Sequence, residues 1–495
     1  MKQRVDLTSG PIYPALLLFA LPTLGSSVLQ SANGSIDAIW VGHLLGENAL
    51  AATTNGNLVM FLLTAFVFGF GMASTILIGQ AVGRRDLHGA KEVVGTAIGT
   101  FAPLAVVIAV IGWFLAPHLL AVLGTGPEIT PLARAFLRVT FLAMPAILMQ
   151  TMLMMALRGA GDALTPLIFM AVAVVLDVVL NPLFILGTGP FPAMGIGGSA
   201  FAMAVANYAS LIAMLCYIYL RKHPLRLMGE DLRLLRPAPH ILSLMLSKGL
   251  PIGLQMVVVS SAMLTMMTLV NREGVDTTAA FGATQQLWTY VQMPAMALGA
   301  AVSAMAAQNI GAGRWERVSR ITRAGIVLNF LLTGGLVAAL MLADHYALIL
   351  FLGSESPAIE IGQHIARLAS WGFVAFGITM VLFGTVRANG QVIWPLIILA
   401  ISLYPVRLGV AVGLRDLLGV DALWLSFPVA MVATMLMSGA LYLHGGWRRT
   451  NDLAQLEEAD AAEVAPQLSV TTEAGPPTSP RNPSLPPARE ARAGE

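Results

Sequence analysis

Charge is scarce in this sequence. Charged residues fill 11% of 495 positions and hydrophobic residues 57%, with a mean hydropathy of +0.77, whereas a soluble globular chain carries about 25% charged residues. A water-soluble globule is excluded. The one cysteine, Cys216, excludes a disulfide framework and a cysteine-rich metal centre. No Walker motif occurs, and small-residue runs such as "GFGMAS" read as helix-packing surfaces, which argues against an ATP-driven pump in this chain. His43, His118, His345 and His444 lie near span ends without ligand spacing, so no metal site is expected. No cluster of acid, His or Ser groups gathers at one interface, so an enzyme is not expected. "MKQRVDLTSG" lacks a cleavage site, and the apolar run behind it is long enough to span, so no cleavable leader is expected. The net charge of +2 says little about partners, and no nucleic acid is expected among them.

Long apolar stretches separated by short polar breaks are present instead, the pattern of an all-α polytopic membrane protein. About twelve spans are expected, near 14–40, 49–75, 92–115, 130–156, 164–187, 197–220, 243–270, 278–304, 321–345, 360–386, 392–413 and 421–444. From Asn451 onward the chain is rich in Pro, Ala and Glu with few large apolar residues, a composition expected to stay disordered. With both termini on one side, that side carries nineteen Lys and Arg against six on the other, three tail arginines set aside. The termini are therefore expected in the cytoplasm. The basic stretch "RKHPLRLMGEDLRLLRPAPH" falls on the same side and divides the chain near its middle.

The two halves repeat each other. "FALPTLGSSVLQSA" (19–32) matches "SKGLPIGLQMVVVSSA" (247–262), and "GQAVGRRDLHGAKE" (79–92) matches "AQNIGAGRWERVSR" (307–320). "RGAGDALTPLI" (158–168) matches "RANGQVIWPLI" (387–397), so that Arg158, Gly161 and Pro166 fall on Arg387, Gly390 and Pro395. The offset stays at 228 or 229 throughout. Six spans separate the copies, so the repeats are parallel, a standard plan of secondary transporters with the substrate site between the halves. The expected division is a first six-helix lobe (1–225), a linker (226–242), a second lobe (243–446) and a disordered cytoplasmic tail (447–495).

In these features the chain resembles the multidrug and toxic compound extrusion (MATE) transporters over roughly residues 10 to 445. The resemblance rests on the paired Gly-Gln/Ala-Gln … Gly loops, the paired Arg-x-x-Gly … Pro turns and the early Asp in span one. It implies two six-helix lobes forming a V-shaped cleft in the plasma (inner) membrane. It also implies export of organic cations or amphipathic toxins in exchange for H⁺ or Na⁺, with no cofactor beyond that gradient. A monomer in the lipid bilayer is expected. The stretches "GLPIGLQMVVVSSAMLTMMTLV" of span seven and "ASWGFVAFGITMVLFGT" of span ten carry no acid, which favours the DNA-damage-inducible-F-like branch, whose coupling acids lie in the first lobe. In many of those relatives span five reads Asn then Asp-Pro, whereas here Asp177 precedes Asn181-Pro182, so the ion's identity does not carry over. The alternative is a flippase of a lipid-linked polar precursor from the same superfamily, which would be expected to line its cavity with several arginines and to have extra spans.

The repeat itself separates scaffold from coupling residues. Asp37, Asp177 and Asn181 fall on Met266, Val406 and Val410, so the first lobe keeps polar groups that the second replaces. An Asp at a helix centre costs about 2.5 to 3.5 kcal/mol on translocon scales, which makes intramembrane acids functional by default. Counted at about 1.5 Å per residue, the three meet in the outer half of the first lobe, where the MATE resemblance implies a proton or Na⁺ site. Gln30, Asn33 and Asp37 follow helical spacing and present one polar stripe. Asn57, Asn207 and Gln255 join them as cleft or polar-network candidates. The prolines inside spans, Pro22 and Pro182 above all, are candidate bending points. The twenty-six methionines are mostly lipid-facing filler, with some suited to a pliant cleft. Arg138 and Arg367 match across the repeat and read as architecture; Arg407 has Val178 as its counterpart and reads as a contact to a helix end in preference to substrate.

Overall fold

Each apolar run expected to span folds as a helix, and no strand occurs among the described residues. The computed structural model describes residues 7–122, 125–187 and 192–449, and residues 451–495, expected to be disordered, lie outside the described residues. The first six helices are α1 (Ile12–Leu45), α2 (Glu47–Gly83), α3 (Leu87–Val122), α4 (Thr130–Gly159), α5 (Leu164–Leu186) and α6 (Ile196–Leu220). After the linker come α7 (Pro239–Asn271), α8 (Val275–Gly311), α9 (Trp315–Leu352), α10 (Ala358–Ala369) and α11 (Gly372–Ala388). The eleventh span is α12 (Ile393–Ile401) and α13 (Arg407–Gly413) joined by a π turn; then follow the short α14 (Arg415–Leu418) and α15 (Asp421–His444).

Eleven segments are each long and apolar enough to cross a membrane among the described residues, and the bent pair α10–α11 makes twelve. Helices are the form in which a lipid-exposed chain satisfies its own backbone. The tenth span departs from a straight rod: α10 and α11 meet at 48° around Ser370 and Trp371. No proline marks this break. It is pinned from α8, where the Trp288 indole N–H donates to Ser370 Oγ at 2.8 Å. The eleventh span breaks at Ser402–Val406, with Pro405 inside the π turn. By contrast α1 and α5 run on as helices through Pro22 and Pro182.

The repeat seen in sequence recurs as repeated geometry. The turns after α4 and α11 place Gly161 and Gly390 at φ +89° and +82°, a left-handed conformation that favours glycine. The two motif loops then interlock across the lobes. Gln80 Nε2 donates to the Ala388 carbonyl at 2.7 Å, and Gln308 Nε2 donates to the Gly159 carbonyl at 2.9 Å. Between these bonds Gly83 lies against the Gln308 backbone and Gly311 against that of Gln80, so tightly that a Cβ on either would collide with the opposing carbonyl oxygen. Higher on α2, Gly69 packs equally closely on Gly249 and Gly253 of α7.

The interlocked loops stand at the C-terminal ends of α2 and α8. The segment before α1 adds to them: Leu7 is fully buried, and its carbonyl accepts from Asn309 Nδ2 at 2.8 Å. Arg317 donates to the Ser9 and Gly10 carbonyls at 2.8 and 2.9 Å. The described residues, 7 to 449, form one compact unit. The linker is docked too. Its 3-10 turn, Gly229–Leu235, is held to α3 by Lys91 Nζ donating to Asp231 Oδ2 at 2.6 Å. That bond holds the Asp231 carboxyl below its ordinary value, so the tether is complete at neutral pH and is lost as pH falls through the acid range.

One boundary needs correction. The expected division starts the tail at 447, four residues before the composition changes at Asn451. Trp447, however, is 2% exposed, packs on Tyr442 and Trp315, and accepts from Asn389 Nδ2 through its carbonyl at 2.6 Å. An indole with apolar neighbours within reach buries itself, whatever the composition of the residues after it.

Candidate functional site

Helices α1 and α5 pack side by side in the first lobe, and each presents polar residues one turn apart to the other. Asn33 and Asp37 come from α1, Asp177 and Asn181 from α5. Asn33 Nδ2 donates to Asp177 Oδ2 at 2.8 Å, and Asn181 Nδ2 donates to Asp37 Oδ1 at 2.8 Å. Each carboxylate is thus held by the amide of the opposite helix. Asn33 Nδ2 also lies 3.4 Å from Asp37 Oδ2, which ties the two pairs into one cluster.

Burial makes this cluster unusual. Asp177 is 2% exposed and Asn181 fully buried, while Asp37 is half-buried. Each acid receives one short bond. A hydrogen bond to a charged group contributes about 1.5 to 3 kcal/mol, comparable at most to the cost of an intramembrane carboxylate, about 2.5 to 3.5 kcal/mol. The donors also run out before the acceptors: Asn33 Oδ1, Asp177 Oδ1 and Asn181 Oδ1 are buried without a partner. Two orphaned amide oxygens and one orphaned carboxylate oxygen, beside the second acid, form a donor set suited to a proton or a hard cation such as Na⁺. No group of three or more His, Cys, Asp or Glu residues stands elsewhere to hold a metal ion among the described residues.

Asp177 and Asn33 open onto a cavity of about 170 Å³, lined also by Gln30, Asn207, Met203, Met154 and Gln150. Gln30 therefore belongs to the site, on the stripe expected of α1. Asn207 lines the same cavity, with its amide donating to Met203 of its own helix at 2.8 Å. Asn57 is exposed on α2 and does not line it. Gln255 belongs to a separate network, donating to the Val392 carbonyl at 3.0 Å and accepting from Arg387. Sequence reasoning misses Gln150: it lies in a methionine-rich run, and only the fold brings it to Ser210 Oγ at 2.9 Å with its own Oε1 left unpartnered.

The second lobe cannot build this cluster. Ala262, Met266, Val406 and Val410 stand at the positions equivalent to Asn33, Asp37, Asp177 and Asn181; Ala262 and Met266 are fully buried, Met266 within an apolar cluster.

The MatE family model matches this chain twice, over residues 22–183 and 251–412, one copy in each lobe. Two Bacillus subtilis proteins named probable multidrug resistance proteins are similar along most of their length. YoeA is 35% identical, over 87% of this chain and 93% of the relative. YpnP is 31% identical, over 90% of this chain and 97% of the relative. Among solved structures, the outward-facing conformation of a multidrug resistance MATE family transporter of the MOP superfamily superposes with a TM-score of 0.82. It is 22% identical, covering 90% of this chain and 98% of that one, and so speaks for the fold alone. From matched repeats, twelve spans and full-length relatives together, this chain is a multi-pass membrane protein that belongs to the MatE family.

Proposed function

We propose that this protein is a secondary antiporter that exports organic cations or amphipathic drugs in exchange for H⁺ or Na⁺ bound at the Asp37/Asp177 cluster. The observation that carries the reading is the cross-helix exchange of amide bonds, Asn33 to Asp177 and Asn181 to Asp37, beside a cavity. The family relatives named for multidrug resistance support the substrate class. The absence of an equivalent acid pair in the second lobe, where Met266 and Val406 stand in place of Asp37 and Asp177, supports the DNA-damage-inducible-F-like branch. The Lys and Arg distribution supports cytoplasmic termini in an inner membrane, and we take the working unit to be a monomer.

On this reading the tightly packed face is cytoplasmic, and the cleft opens outward. A proton or Na⁺ entering from outside binds the Asp37/Asp177 oxygens, neutralises the cluster and removes the attraction that holds a cationic substrate. With the negative charge compensated, α1 and α5 repack against each other, and the substrate leaves. Loss of the ion to the cytoplasm restores a negative site for the next cation. Differential affinity of the two ligands for one set of carboxylates is what couples them.

The reading is tested with purified protein in liposomes loaded with a fluorescent organic cation. An imposed H⁺ or Na⁺ gradient is expected to drive efflux, and no response to either would overturn the assignment. In the same assay, Asp177→Asn should change the pH profile of efflux relative to wild type. An unchanged profile with only a uniform loss of protein would reduce Asp177 to a brace and leave Asp37 to couple alone.

A further inference from the structure

The second lobe encloses a cavity of about 360 Å³, larger than the one beside the acid cluster. Its walls combine the aromatic rings of Trp288, Phe373, Phe376 and Phe427 with aliphatic side chains and neutral polar groups such as Gln285 and Gln292, and no Asp or Glu lines it. Arg407 also lines it, although the residue is only 6% exposed. Its guanidinium carbon lies 3.6 Å from the centre of the Phe427 ring. Its nearest polar contact is soft, Nη2 to Met263 Sδ at 3.8 Å, and its Nε is buried without a partner.

Architecture does not explain this arginine. Other arginines of the second lobe have partners: Arg367 faces Asp344 at 3.5 Å, Arg415 pairs with Glu273, and Arg387 donates to Gln255. Arg407 has no counterpart in the repeat, where Val178 sits within the unbroken helix α5. The π turn Ser402–Val406 immediately before it is equally specific to this lobe, and such turns cluster at functional sites. Nor does Arg407 reach a helix end, the contact its sequence context suggests; it stands inside the eleventh span, beside a cavity. Stacking on Phe427 offsets part of the burial cost, but a guanidinium carries five N–H donors, and the cavity offers them no anion.

We infer that this cavity is a binding site for an aromatic anion, with Arg407 gripping a carboxylate, sulfonate or phosphate while the aromatic rings of its walls hold a planar ring system. A guanidinium fork matches such an anion with two parallel bonds, and the cavity is within the size range of small-molecule sites. The inference stands on the second lobe alone and is independent of the coupling reading above.

The test uses the full-length protein in zwitterionic lipid nanodiscs, titrated calorimetrically with naphthalene-2-sulfonate and with the neutral naphthalene-2-sulfonamide. Wild type is expected to bind the sulfonate about tenfold or more tighter than the sulfonamide. Arg407→Met should abolish that preference, and Arg407→Lys should keep part of it. Met263→Glu, placed within reach of the guanidinium, should block the sulfonate while Arg407 remains, and Met263→Gln should not. This pair decides the matter should Arg407→Met fail to fold. Equal binding of sulfonate and sulfonamide by wild type, or undiminished sulfonate binding by Arg407→Met or Met263→Glu, would overturn the site. A repeat in nanodiscs rich in phosphatidylglycerol should leave sulfonate binding in place. Its loss there would give Arg407 to a lipid headgroup and overturn the inference as well.

Discussion

An Asp37→Asn protein is expected to accumulate to wild-type levels, to remain folded, and to lose gradient-driven efflux completely. The substitution removes a carboxylate that costs about 2.5 to 3.5 kcal/mol to place in a membrane helix, so it relieves insertion. It also keeps the shorter of the two contacts to Asp37, because the Asn side-chain oxygen can still accept from Asn181 Nδ2, the bond that Asp37 Oδ1 accepts at 2.8 Å in the native protein, and it gives up the 3.4 Å contact from Asn33 Nδ2. The charge disappears as well. Efflux from liposomes under an imposed ion gradient should fall to the level of protein-free vesicles, with an unshifted melting temperature as the control. Undiminished efflux by a well-folded Asp37→Asn protein would remove Asp37 from the coupling site.

Gly83→Val is expected to have an equally large effect for a different reason. The Cα of Gly83 rests on the Gln308 backbone, and any Cβ there collides with a carbonyl oxygen that cannot rotate away. Overpacking of this kind costs about 1 to 3 kcal/mol, and more where a backbone must yield. It would also separate the loops joined by the Gln80–Ala388 and Gln308–Gly159 bonds. Yield, thermal stability and efflux should therefore fall together, and Gly311→Val should reproduce the loss, because Gly311 faces the Gln80 backbone in the same way. A Gly83→Val protein made at full yield but inactive would instead assign the loop a direct part in transport.

The residues that violate their surroundings are the ones most legible in the amino-acid sequence. Asp177 stands in a run of Val and Leu, and Asp37 in a helical stripe with Gln30 and Asn33, so charge and spacing expose both. The spans are equally plain, because apolar length alone sets them. What hydropathy cannot carry is direction and pairing. The repeat offset matches Gln80 to Gln308 but gives no sign that each reaches into the opposite lobe. Helical spacing places Asn33 in the polar stripe without showing that its amide holds the acid of another helix. The break at Ser370 and Trp371 carries no proline, and its only local mark is the Ser370/Gly372 pair; that Trp288 of a distant helix bonds Ser370 there cannot be read from spacing. Trp447 falls beyond the expected end of the second lobe because the last apolar span ends before it, and span length is blind to one aromatic side chain that buries itself.

The central claim is that the exported cation and the driving ion compete for the carboxylates that α1 and α5 hold together. It is tested most directly by binding a fluorescent organic cation to purified wild-type and Asp37→Asn protein across a range of pH and Na⁺ concentrations, without any gradient. The account predicts that cation affinity of the wild type weakens as H⁺ or Na⁺ is raised, and that Asp37→Asn binds the cation weakly and independently of either. Cation binding that responds to H⁺ and Na⁺ identically in both proteins would contradict it.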